Sequence, residues 1–257
     1  MKEQRIRQIE QFIGSKDVVT VQELIDHFGV SINTIRRDLE TLQSEGKIEK
    51  IYGGARRIQP TEVTTDSLAD YYERSVKNSA QKFAIAARAT QFIEEEDTIF
   101  IDTGTSTVPL LEHLDSFHHL TIVTNSIYVL YSALNFPNFT VIGLPGIIKN
   151  KTASLVGEQC LAMIDSYNIK KAFMACTAFS LENGATNSSL EELAIKKKIM
   201  ERSTCQYLLV DSSKFGRSAL LTFAKGNEFD AVITDRLPAK EYVDYFKENN
   251  VQLVLSE

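Results

Sequence analysis

The stretch 30–39, Val-Ser-Ile-Asn-Thr-Ile-Arg-Arg-Asp-Leu, constrains this chain more than any other. Ser31 has the chemistry of a helix N-cap, because its hydroxyl can accept a hydrogen bond from a free backbone N–H of the first turn. Ile32, Ile35, Leu39 and Leu42 recur at helical spacing and predict a buried stripe. Asn33, Thr34, Arg36 and Arg37 fall off that stripe near the helix start. Short polar groups and guanidinium forks in that position suit the base edges and phosphates of a DNA groove. Read alone, two adjacent arginines fit a solvated face equally well, with Arg37 paired to Glu40 or Glu45.

The neighbouring segments tip this balance. Ile6, Ile9, Phe12 and Ile13 share a helical period over 3–13, and Gly14 with the polar run to Asp17 predicts the end of that helix. Val18, Val19 and Val21 form a run long enough for one small strand. Thr20 can cap a second helix, with Glu23 at the capping-box position and Leu24, Ile25 and Phe28 as its apolar face. Gly29 permits the tight turn into the arginine-bearing helix. After a stop at Gly46, Lys47, Lys50 and Tyr52 lie in a strand-like alternation. Gly53-Gly54 makes a hairpin tip, and Arg56 and Arg57 follow on its return side. The order matches a helix-turn-helix followed by a basic β-wing, whose cations are either phosphate contacts or ordinary surface charge.

On these residues, 1–57 resembles the winged helix-turn-helix of the DeoR family of bacterial transcriptional regulators. The motif is Val30-Ser31, then Thr34-Ile35-Arg36-Arg37-Asp38-Leu39, Leu42, Gly46 and Gly53-Gly54-Ala55. Tyr52 stands where many members carry His. The resemblance implies operator DNA contacted by Ser31, Asn33, Thr34, Arg36 and Arg37 from the helix. Lys47, Lys50, Tyr52, Arg56 and Arg57 would contact it from the wing.

Formal net charge is −6 over 257 residues, an unexpected sign for a chain that meets DNA. The charge is unevenly divided. Residues 1–60 hold 10 Lys/Arg against 9 Asp/Glu, a balance of +1, and the remainder stands at −7. Attraction to DNA must then come from local placement of cations, not from a bulk field. The three cysteines are far apart and lack metal spacing, so buried reduced thiols are expected. With no signal peptide or long apolar segment, the expectation is a soluble cytoplasmic protein.

Residues 58–72, with Pro60, several acids and little periodicity, read as a linker, and 73–257 as one α/β domain. A helix is expected over 74–93. Strands follow at 98–102, 120–124, 139–143, 171–176, 207–210, 231–234 and 251–255. Helices are expected through 114, after 126, and at 157–166, 190–202 and 238–248. This alternation predicts a mostly parallel sheet covered on both faces, whose strand C-termini are the usual ligand edge. In Asp102-Thr103-Gly104-Thr105-Ser106-Thr107, a close-turning glycine and clustered hydroxyls precede a helix, a pattern suited to phosphate. The plain alternative is a capped turn. Thr124-Asn125 and Asp211-Ser212-Ser213-Lys214-Phe215-Gly216 repeat the theme at two more strand ends, and Lys214 adds a cation.

These loops, with Ile233-Thr234-Asp235, extend the resemblance to the DeoR-type sensor domain. That domain is similar in fold to ribose-5-phosphate isomerase and binds phosphorylated sugars. The resemblance places the family's first-helix lysine at Lys82, and its acidic pair at Glu191-Glu192 before Lys196, Lys197 and Lys198. The implied effector contacts are Lys82, Asp102, Gly104, Thr105, Ser106, Thr107, Thr124, Asn125, Glu191 and Lys214. Pro145-Gly146 departs from the family's Gly-Gly, and Ala175-Cys176-Thr177-Ala178-Phe179 replaces a glycine-bearing run. Both departures put bulkier groups near the pocket rim.

The expected protein is therefore a regulator without cofactor, metal or enzymatic activity, a repressor of a sugar-metabolism operon. It is expected to act as a homo-oligomer, a dimer or tetramer, on paired half-sites. The rival readings are an isomerase-like enzyme using Asp102, Glu191 or Lys214 as acid or base, and a DNA-binding protein with an inactive pocket.

Overall fold

The apolar stripes over 6–42 make three helices that share one small core. In the computed structural model, which describes residues 2–16, 18–44, 48–51, 54–57 and 66–256, these are α1 (Lys2–Lys16), α2 (Val21–Phe28) and α3 (Ile32–Ser44). Ile9, Ile13, Leu24, Ile35 and Leu42 are fully buried between them. Strands β1 (Val18–Thr20), β2 (Ile48–Ile51) and β3 (Gly54–Arg57) form an antiparallel sheet in the order β1-β3-β2. The capping box is made: the Glu23 N–H donates to Thr20 Oγ1 at 3.1 Å, and the Thr20 N–H donates to the Glu23 carboxylate at 2.8 Å. Gly29 ends α2 in the left-handed region at φ 63°, its N–H on the Ile25 carbonyl. A Cβ on Gly54 would stand 2.2 Å from the Val19 carbonyl oxygen, so only glycine lets β3 reach β1 there.

Three expectations change. Helix α1 continues through Gly14 to Lys16, Val21 opens α2 instead of extending the strand, and Ile32 is 42% exposed. Ile32 is the first residue of α3, one turn short of where that helix meets the core.

Residues 1–65 and 66–257 are two compact units. In the second, α4 (Asp66–Val76) and α5 (Ser79–Ala89) lead into β4 (Thr98–Ile101), β5 (Thr121–Thr124), α6 (Ile127–Ala133) and β6 (Thr140–Gly143). The hairpin β7 (Ile147–Lys149) and β8 (Ser154–Val156) follows, then α7 (Glu158–Ile164) and β9 (Ile169–Ala175). Next come β10 (Ala178–Ser180), β11 (Gly184–Asn187), α8 (Leu190–Arg202), β12 (Ser203–Leu209) and β13 (Leu221–Ala224). The chain closes with β14 (Ala231–Thr234), α9 (Lys240–Glu248) and β15 (Gln252–Leu255). Seven strands form one parallel sheet in the order β15-β14-β12-β9-β4-β5-β6. Alternate residues feed two cores. Phe100, Met174, Leu208 and Val232 pack with α7, α8 and α9, while Ile99, Phe173, Leu209 and Ile233 pack with α5 and α6. Strand order reverses between β4 and β9, which opens a crevice at their C-terminal ends.

The single helix expected over 74–93 is two. They are split at Asn78, which takes φ 54° and aims its amide at Asp211 (3.0 Å) and Ser213 (3.2 Å). Helix α4 occupies part of the segment read as linker, from Asp66 onward. The helix expected after the threonine loop is a 3-10 turn, Val108–His113. The antiparallel set β10-β11-β13 and the β7–β8 hairpin were not foreseen. Among the described residues no helix is long and apolar enough to cross a membrane, and no cluster of His, Cys, Asp or Glu could hold a metal.

Candidate functional site

On α3 the two sides of the helix separate cleanly. Ile35, Leu39 and Leu42 are buried, while Ser31, Asn33, Arg36 and Arg37 are exposed and Thr34 is half-buried. Ser31 caps the helix, its Oγ accepting from the Thr34 N–H at 3.3 Å and lying 2.9 Å from the Thr34 hydroxyl. Neither Arg36 nor Arg37 has an ion pair among the described residues, and Glu40 pairs instead with Lys50 at 3.4 Å. Glu45, Lys47 and Tyr52 lie outside the described residues, as do the side chains of Arg56 and Arg57 on β3. Asp38, in the middle of the arginine motif, is buried and faces inward. Its carboxylate takes Arg5 Nε at 2.7 Å and Arg5 Nη2 at 3.3 Å, which ties α1 to α3 and raises the Arg5 guanidinium above its ordinary value. Its place in the sequence gave no sign of this role, because a partner 33 residues away leaves no local pattern.

In the second unit a cleft of about 630 Å3 lies over the ends of β4 and β9. Thr103, Gly104, Thr105 and Ser106 line it, with Lys214 after β12 and Glu191 on α8. A Cβ on Gly104 would stand 2.2 Å from the Ala175 Cβ, so glycine is what lets the loop close against β9. The N–H groups of Thr103, Gly104, Thr105 and Ser106 have no hydrogen-bond acceptor among the described residues. Four adjacent donors that the protein leaves unused, in residues lining a cleft, are a set that an anion could satisfy. Lys214 has no ion pair or hydrogen bond from its ammonium among the described residues.

Other residues expected to touch a ligand are absent from the cleft lining and make contacts within the scaffold. Thr107 donates its hydroxyl to the carbonyls of Asp102 (2.8 Å) and Gly104 (2.9 Å), holding the loop from beneath. Thr124 donates to the Ile101 carbonyl at 2.7 Å, tying β5 to β4, and Asn125 donates to the Leu155 carbonyl at 3.0 Å. Asp102 is buried. Its carboxylate accepts the Ala175 N–H at 2.9 Å and pairs with Lys196, whose ammonium also reaches the Ala175 carbonyl at 2.9 Å. Lys82 is absent from the lining. It is buried under the end of α4, donating to the Arg74 carbonyl, and burial pulls its ammonium down to about 8 while Asp211 opposes the shift.

The cleft also gathers residues that strand-end reasoning passed over. Arg74 enters it from α4, and Lys149 and Lys151 from the β7–β8 hairpin. Lys149 binds Glu191 at 2.7 Å and Ser189 at 2.8 Å. With the backbone and the Ser189 hydroxyl, Lys149 holds the Glu191 carboxyl down to about 2. Cys176 lies on the wall, and loss of water around its sulfur pushes the thiol up to about 12. That leaves it protonated and inert near neutral pH.

Residues 5–61 match the DeoR-like helix-turn-helix domain, and residues 77–236 match the DeoR C terminal sensor domain. The chain is 40% identical to the HTH-type transcriptional regulator IolR of Bacillus subtilis, over 100% of both chains. It is 31% identical to the lactose phosphotransferase system repressor of Staphylococcus aureus, over 91% of this chain and 92% of that one. Among solved structures, a D-ribose-5-phosphate isomerase in complex with phospho-erythronic acid aligns with TM-score 0.40 and 18% identity, over 53% of this chain and 54% of that one. With one family domain matched in each unit and full-length relatives that are regulators, the chain belongs to the DeoR family of transcriptional regulators.

Proposed function

We propose that this regulator is a repressor whose hold on operator DNA is set by a phosphorylated sugar bound in the cleft of the second unit. The observation that carries the reading is the run of unused N–H groups from Thr103 to Ser106, in a cleft to which Lys214 adds a cation. Phosphate satisfies such donors without further charge from the protein. A relative named for the lactose phosphotransferase system fits a sugar-derived signal. Asn33, Thr34, Arg36 and Arg37 read the operator from α3, and Lys50, Arg56 and Arg57 support it from the wing. One short helix reads few base pairs, so two copies act on paired half-sites. Differential affinity of the effector for the bound and released forms sets how far occupancy shifts.

The test is binding of the full chain to its own upstream DNA, titrated with pentose and hexose phosphates. At least one should release the DNA, and Lys214→Ala should lose that response. Arg36→Ala should weaken DNA binding by roughly 1–3 kcal/mol if it makes a bidentate base contact. Operator occupancy that ignores every sugar phosphate would defeat the effector reading; Arg36→Ala with full affinity would remove Arg36 from the interface.

A further inference from the structure

Glu192 is a buried carboxylate on the wall of the cleft, and no cation pairs with it among the described residues. Its oxygens are held by two neutral donors, Ser154 Oγ to Oε1 at 3.3 Å and Asn187 Nδ2 to Oε2 at 2.8 Å. Its position in the first turn of α8, capped by Ser189, supplies the positive end of a helix dipole that favours a negative charge there. Asn187 is itself fixed, because its Oδ1 accepts Thr177 Oγ1 at 3.1 Å and the Ser188 N–H at 2.8 Å. An ionised carboxyl group accepts about four hydrogen bonds, so Glu192 keeps about two acceptor positions unused. This wall differs in kind from the Thr103–Ser106 loop: the loop offers donors, and Glu192 offers acceptors.

Resting on the sugar-phosphate reading above, we infer that Glu192, positioned by Asn187, recognises the hydroxyl-bearing end of the effector and selects a singly phosphorylated sugar over a bisphosphate. Sugar hydroxyls donate to the free acceptor positions on Glu192. A second phosphate has only acceptors near neutral pH, apart from one weakly acidic proton, and would face Glu192 and Glu191 at the same helix end. That end already holds the protein's own carboxylates, and of the cleft's cations Lys149 is committed to Glu191 and Lys196 to Asp102. The neighbouring Glu191, expected to bind ligand, lines the cleft with its carboxylate on Lys149 and Ser189.

The experiment is calorimetric titration of the full chain with inorganic phosphate, a set of pentose and hexose monophosphates, and fructose 1,6-bisphosphate. The wild type should bind at least one monophosphate about tenfold or more tighter than inorganic phosphate or the bisphosphate, as expected for hydrogen bonds to a charged acceptor. Glu192→Gln should lose that gain while still binding inorganic phosphate. Asn187→Ala should lose part of it, and Glu192→Asp, which keeps the charge but withdraws it by one methylene, should fall between. A Glu192→Gln protein that binds the monophosphate like the wild type overturns the inference, and so does one that loses inorganic phosphate in equal measure. If inorganic phosphate binds the wild type and no monophosphate exceeds it, this inference fails and the phosphate site stands. If neither binds, the effector reading fails first and this one with it.

Discussion

The two units keep fold and recognition apart in different ways. On α3 the division is by side of the helix. Ile35, Leu39, Leu42 and Asp38 face the core and hold the unit together, while Asn33, Arg36 and Arg37 face solvent with no ion pair among the described residues. In the second unit both roles are mixed at the same strand ends. Thr105 and Ser106 line the cleft, whereas Thr107, one residue on, is spent on backbone carbonyls. Exposure therefore separates the functional residues in the first unit. In the second, exposure does not: Thr103 and Ser106 on the cleft wall are buried, as are Thr107 and Thr124, which are spent on backbone carbonyls, so hydrogen-bond accounting is what tells them apart.

The sharpest break to this contrast is at Asp38, a charged residue in the recognition motif that works as core. Arg5→Ala leaves a buried carboxylate without its cation, which should destabilise the first unit more than any other change proposed for this protein. Amide exchange would show α1 and α3 opening early and the parallel sheet unchanged. Wild-type protection of α3 in this variant would mean that Asp38 belongs with the exposed residues after all.

In the second unit the matching test is the contact between Gly104 and Ala175. Gly104→Ala puts two methyl groups where the backbone allows one, at a cost of roughly 1–3 kcal/mol for overpacking. The loop should shift, and phosphate affinity should fall with it. Ala175→Gly clears the same space from the β9 side, so the double variant should regain most of both. Independent, additive losses in the two singles and the double would place the constraint on Gly104 elsewhere.

Legibility followed the length of the pattern. Helix α8 and strand β14 have the bounds their periodicity predicts, Leu190–Arg202 and Ala231–Thr234, because a cap or a run of β-branched residues marks each end. Strands β10, β11 and β13 are three or four residues long, too short for a local period to announce them, and β13 joins β11 from a distant segment. The break at Asn78 depends on Asp211, 133 residues away. That the loop 102–107 would line a cleft was legible because glycine and clustered hydroxyls at a strand end are a local sign. Which of its hydroxyls line the cleft was not, since Thr105 and Thr107 differ only in what lies beneath them. Lys82 was assigned to the effector by position in a motif, but its ammonium is directed to the end of α4.

That assignment yields the smallest and most specific expected effect. The folded protein holds Lys82 near 8, mainly because burial disfavours the ammonium, whereas an unfolded lysine titrates near its ordinary value of 10.5. Between those values the unfolded chain binds more protons than the folded one. The burial penalty is therefore fully present below the folded value and is relieved as pH rises through it, so stability increases with pH. From pH 7 to pH 9 the gain should be about 1 kcal/mol. Lys82→Met carries no such penalty, and its unfolding free energy should lack this rise, which a comparison of denaturation midpoints across that window would detect. Parallel curves for the two proteins would show that Lys82 is solvated in solution, which would return it to the cleft as a candidate phosphate ligand. A gap between the two proteins that narrows as pH rises keeps it beneath α4, away from the cleft lining.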